Sequence, residues 1–156
     1  MYYEDDVANR TYPTLTKAVA EAMGVEYHDD KWTKRQIWDN FICAELCQNF
    51  IPRLLTKRSD FRPEDYDALK ELIKRYDITK MVIFGAPSFD FVKDSVETEY
   101  GKTAWRTDGS YYHHWFYLGG RCVDVIYAYH PSAPQFLDKD SSGTSRLIPW
   151  LKKFFN

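Results

Sequence analysis

The residues best suited to chemistry stand where an apolar run stops. A β-branched and aromatic stretch from Val123 to Tyr129 breaks off at His130-Pro131-Ser132. Pro131 lacks an N–H and fixes φ, so a strand cannot pass through it. His130 precedes proline and is biased towards extended geometry. This predicts an imidazole at a strand end, on a sheet rim of the kind where α/β proteins place ligands. A histidine there can donate to an anion, shuttle a proton or bind a metal. The same tripeptide is also an ordinary strand terminator.

A second apolar stretch, Trp38 to Phe50, ends on Asn49. A carboxamide offers one acceptor and two donors, which suits the edge of a pyrimidine; it also suits a bond to its own turn backbone. Phe50 could stack on a base or join the core. Just beyond lie Arg53, Lys57, Arg58 and Arg62, the densest basic run in the chain. Beside a base pocket it would meet backbone phosphate, and otherwise it is a solvated loop. His113 and His114 are neighbours, and strand alternation sends neighbours to opposite faces, so they do not jointly ligate one metal. Gly85-Ala86-Pro87-Ser88 could offer N–H groups to an anion at a strand-to-helix turn, but it lacks nucleotide-motif spacing. No cofactor and no metal are expected.

Several elements must position these groups. Leu15, Ala18, Val19, Ala22 and Met23 recur at helical spacing after Thr14, and Gly24 stops them. Thr33 to Gln36 has capping-box spacing, which predicts a short helix starting there. Phe41 to Phe50 reads either as a strand or as an extension of that helix. Pro63 opens a helix with Tyr66, Leu69, Leu72, Ile73 and Tyr76 on one face. Lys80 to Phe84 reads as a strand covered on both faces. A helix bearing Phe89, Val92 and Val96 follows, then a loop from Tyr100 to Ser110. Tyr111–Leu118 and Arg121–Tyr129 flank Gly119-Gly120, a hairpin signal. Leu147 to Phe155 closes with aromatics at helical spacing despite Pro149.

The alternation of helices and strands predicts an α/β fold. It is expected as a three-layer α/β/α sandwich around a mostly parallel sheet, with a C-terminal hairpin. The length of 156 residues suits one domain. With 44% hydrophobic and 17% aromatic residues, among them 12 Tyr and 5 Trp, the chain can build a core and still spare aromatic surface for bases or a protein partner. A formal charge of −2 excludes a histone-like binder but leaves room for a local basic cleft. Three cysteines form no disulfide framework, which predicts reduced thiols and a cytoplasmic setting. No apolar run is long enough for a membrane span, and no leader is expected.

The order of these features resembles the uracil-DNA glycosylase superfamily. Over residues 35 to 135 the chain places an asparagine after an apolar stretch, then a helix, then a buried strand ending in Gly85, then a late strand ending in His-Pro-Ser. The resemblance implies one glycosylase-like domain over 1–156. His130 would be the catalytic histidine that meets the anionic base as the glycosidic bond breaks. Asn49 and Phe50 would bind the base. Ser132 would meet phosphate, with Arg53, Lys57, Arg58 and Arg62 alongside. The family's first motif, which carries the water-activating residue, has no match; Glu4, Asp5 and Asp6 are the nearest carboxylates. A first strand would come from residues 1–3 or be missing, and a sheet that lost a strand would expose an edge that invites self-association.

Three functions are therefore expected in descending order. The first is a nucleobase- or nucleic-acid-binding protein with a degenerate glycosylase-like fold. The second is a small phage or mobile-element protein that binds another protein through aromatic surface. The third is a working uracil-DNA glycosylase.

Overall fold

The computed structural model describes residues 11–44, 46 and 57–156. The fold is mixed α/β, and the chain divides into two units. One joins residues 1–43 to 129–156, and the other is the continuous stretch 44–128.

In the discontinuous unit, helix α1 (Thr11–Met23) packs against α2 (Lys31–Trp38) and the closing helix α5 (Leu147–Phe155). Leu15, Ala18, Val19 and Ala22 of α1 are buried, as the helical spacing predicts. Leu147, Ile148, Leu151 and Phe154 of α5 are buried as well. Pro149 is tolerated because it stands in the first turn of α5, where backbone N–H groups have no intrahelical acceptor. Helix α2 starts two residues before the predicted Thr33. Asp30 is the cap, its carboxylate accepting the Thr33 N–H at 2.8 Å. Aspartate is the better N-cap, and it moves threonine to the third helical position. Trp38 Nε1 donates to Thr16 Oγ at 3.0 Å, tying α2 to α1. Neither the strand nor the helix extension considered for residues 41–50 begins at Phe41: α2 ends at Trp38 and residues 41–44 carry no strand. The Phe41 N–H bonds to the Trp38 carbonyl at 3.1 Å, and its ring packs edge-on against Phe155.

The continuous unit holds a four-stranded sheet in the order β1-β4-β3-β2. These strands are β1 (Lys80–Phe84), β2 (Trp105–Thr107), β3 (His113–Leu118) and β4 (Arg121–Ala128). The β1–β4 pair is parallel, while β4–β3 and β3–β2 are antiparallel. Among the described strands parallel pairing is thus the minority, against the mostly parallel sheet expected. Without β2 the pairs would be one parallel and one antiparallel; β2 is three residues in a stretch expected as loop and too short to show alternation. It adds a second antiparallel pair beside the hairpin.

Helices α3 (Pro63–Arg75) and α4 (Ala86–Tyr100) supply Tyr66, Ile73, Phe89, Val92 and Val96 to one core with Ile83, Phe116, Leu118, Val123, Val125 and Tyr127. Pro63 takes the first position of α3, and Asp65 accepts the Arg62 N–H at 2.8 Å. Tyr66 donates to Glu99 at 2.6 Å, and Lys70 holds the same carboxylate at 3.3 Å. Burial, and after it that bond, push the Tyr66 phenol far up, while Glu99 is held below the usual carboxylate range by Tyr66 first and Lys70 second.

The hairpin between β3 and β4 turns on Gly119 and Gly120, both at positive φ, 62° and 82°. Two left-handed residues make a type I′ turn, which matches strand twist. A Cβ on Gly119 would lie 3.0 Å from Ile73 Cγ2 and 3.3 Å from the Lys70 carbonyl. Gly119→Ala is therefore expected to destabilise by about 1–3 kcal/mol. Gly120 has open space around it, so Gly120→Ala should lose only the backbone part of that amount. Equal midpoints in urea for the two variants would refute the close-approach argument.

Candidate functional site

Strand β4 ends at Ala128, two residues earlier than a strand running up to the proline would. Tyr129 and His130 belong to the turn that follows, and the Ala133 N–H closes it on the His130 carbonyl at 2.8 Å. Pro131 is buried while His130 and Ser132 are exposed. The proline thus anchors the turn and leaves the imidazole in solvent.

The His130 ring is oriented by its own tripeptide. The Ser132 N–H points at Nδ1 from 3.2 Å, and Ser132 Oγ lies 2.6 Å from the same nitrogen. A nitrogen that accepts a backbone N–H carries its lone pair there, so the neutral ring keeps its proton on Nε2. An exposed Nε2–H is a hydrogen-bond donor. Both Ser132 donors are turned to His130, where the family pattern would have them meet phosphate.

Asn49, Phe50 and Arg53 lie outside the described residues, and so does their convergence with His130. The remaining members of the basic run do different jobs. Arg58 pairs with Asp94 at 3.3 Å, and its guanidinium lies 4.9 Å over the Phe91 ring. Lys57 and Arg62 are exposed, and each gives its backbone N–H to a carboxylate, Asp60 at 2.6 Å and Asp65 at 2.8 Å. Arg58 is thereby docked on α4, and the other two side chains extend into solvent.

The two adjacent histidines part as alternation requires. His114 is buried at 7% exposure between Phe89 and Trp105, with ring centroids at 4.7 and 5.9 Å. Its Nε2 bonds to the Tyr111 carbonyl at 3.1 Å, while Nδ1 is buried without a partner among the described residues. Burial holds its proton affinity below that of a free imidazole. His113 faces the other way, with Nδ1 3.4 Å from Asp108, Nε2 3.3 Å from Asp124 and its ring 4.2 Å from Trp115.

That second sheet face carries a group that residue types along the chain do not by themselves reveal. Arg106 on β2 stands directly opposite Trp115 on β3, and Tyr117 stands opposite Cys122 on β4. With Tyr100 at the end of α4, these side chains line a shallow concavity of about 520 Å³. Alternation along His113–Leu118 puts Trp115 and Tyr117 on the face opposite the buried Phe116 and Leu118. The missing signal was β2, which brings Arg106 alongside.

No family model matches the chain, and the curated proteins and solved structures give no match either. Among the described residues no three potential ligands cluster as a metal site, and no helix is long and apolar enough to cross a membrane.

Proposed function

We propose that this chain binds nucleobases or nucleic acid on a uracil-DNA-glycosylase-like scaffold and does not break the glycosidic bond. The observation that carries this reading is the His130–Ser132 pair. A ring held by its own turn, with Nδ1 accepting and Nε2–H exposed, is preorganised to donate to a base carbonyl. With Nδ1 occupied, the same ring offers a donor and no base for activating water, so it supports recognition without hydrolysis. Residues 1–156 then form one glycosylase-like domain of three layers. The burial of Val125 through Ala128 on both faces of β4 supports layers on either side of the sheet.

Fluorescence anisotropy with a labelled uracil-containing oligonucleotide tests this. Binding is expected at low salt and should fall steeply as salt rises, because each neutralised phosphate releases counterions. His130→Ala should weaken binding about tenfold, on the scale of one lost base contact, and no free uracil should appear. Uracil release abolished by His130→Ala would establish the working glycosylase instead. Absence of binding at low salt would overturn the proposal.

The protein-binding reading keeps one specific support. Trp32 on α2 is 82% exposed, and Tyr76 and Tyr111 are 52% exposed. Aromatics of this kind dominate interface energetics. That reading gains if oligonucleotides fail to bind while Trp32→Ala abolishes recovery of one defined protein partner.

A further inference from the structure

We propose that single-stranded nucleic acid lies against the exposed patch of the sheet around β2 and the middle of β3, its bases stacking on Trp115 and Tyr117 and a phosphate meeting Arg106. This rests on the nucleic-acid reading above and adds to it a place and a strand type.

The first argument is alternation at its most unequal. Phe116 and Leu118 are fully buried, yet Tyr117 between them is 44% exposed and Tyr100 is 40% exposed. Tyr100 and Tyr117 meet edge to face at 4.9 Å, and Trp115 is braced by the His113 ring at 4.2 Å. His113 is itself held between Asp108 and Asp124. The rings are therefore fixed in orientation before any ligand arrives, which lowers the entropy cost of stacking on them.

Charge then selects the occupant. The concavity is lined by Tyr100, Arg106, Trp115, Tyr117 and smaller neighbours, with no carboxylate in its wall. Among the acids nearby, Glu99 is engaged by Tyr66 and Lys70, while Asp108 and Asp124 lie 3.4 and 3.3 Å from the two His113 ring nitrogens, Asp124 being the cross-strand partner of Trp115. Arg106 is exposed and forms no ion pair with any described residue. A partner that fits must bring flat apolar faces together with an anion. Single-stranded nucleic acid does so at every residue, and aromatic side chains stack on its bases whatever the sequence. A duplex keeps its base faces stacked internally and cannot use this surface.

The test is anisotropy of a labelled 20-nucleotide oligothymidine, set against the same length of duplex, at low salt and through a salt titration. Single strands are expected to bind about tenfold or more tightly than duplex. Trp115→Ala and Tyr117→Ala should each weaken single-strand binding about tenfold, while Trp115→Phe and Tyr117→Phe, which keep a ring, should retain most of it. Arg106→Ala should reduce the salt slope by about one. Circular dichroism identifies any variant that fails to fold, and the phenylalanine variants then carry the test. Single-strand binding that survives both alanine changes overturns the platform and leaves the nucleic-acid reading standing. Duplex binding equal to single-strand binding also overturns it. No oligonucleotide binding at low salt removes both, and capture of a protein lost in Trp115→Ala would reassign the face to a protein partner.

Discussion

Phe116→Ala is expected to destabilise the protein by about 3–5 kcal/mol, the largest effect of any single change considered. Phe116 has no exposed surface and lies at the centre of the core of the continuous unit. Its ring packs 5.6 Å from Phe89, and the residue stands opposite Trp105 of β2. Truncation removes the transfer energy of a benzyl group and leaves a cavity that two strands and α4 hold open. Small domains have only about 5–15 kcal/mol of stability in all, so the variant should unfold at markedly lower urea. A loss below about 1 kcal/mol would mean that the core collapses onto the site and is less rigid than its packing indicates.

The second large effect is a loss of stability as pH falls, driven by His114. Desolvation is the main cause of its lowered proton affinity, and the charges of His113 and Lys93 act in the same direction. The Tyr111 carbonyl and Asp108 act against it. An unfolded chain therefore binds this proton more readily than the folded one. Stability is complete above the ordinary imidazole value of 6.5 and falls as pH drops through and below it. One proton gives a slope of at most about 1.4 kcal/mol per pH unit. Asp29, Asp30, Asp108 and Asp140 all have carboxyls held below 3.8, so their contribution is lost only at more acid pH. His114→Gln retains a donor for the Tyr111 carbonyl and removes the titration. Urea midpoints between pH 5 and 7 should flatten in that variant, and an unchanged slope would assign the effect elsewhere.

Local signals account for the elements that were legible in the sequence. Pro63 and the apolar face that follows it gave α3, and the β-branched run at Lys80–Phe84 gave β1. Gly119-Gly120 fixed the hairpin because only glycine adopts both positive φ values cheaply. The start of α2 was displaced because Asp30 and Thr33 are both cap formers and only tertiary context chooses between them. β2 was invisible for a different reason: three residues carry no periodicity, and what makes them a strand is the offer of hydrogen bonds from β3. The same blindness hid Arg106 from the candidate site. His130 was found by its spacing to Pro131, but the choice of proton position came from Ser132, two residues on, and needed coordinates. The basic run was read as one group, and Asp94, far along the chain, drew Arg58 out of it.

The division of the chain also bears on how the molecule is made. Residues 44–128 are contiguous, so the sheet, α3 and α4 can close their core without waiting for the segment that follows to fold. Helix α1 is made well before α5, against which it packs. For that interval the apolar face of Leu15, Ala18, Val19 and Ala22 lacks its C-terminal partner, and domains emerging from the ribosome fold as units at about 5–20 residues per second. A chain ending at Ala128 and released from the ribosome should therefore present a protease-resistant central segment flanked by a cleavable N-terminal helix. The interval before α5 arrives is when this chain is most exposed to aggregation and to chaperones.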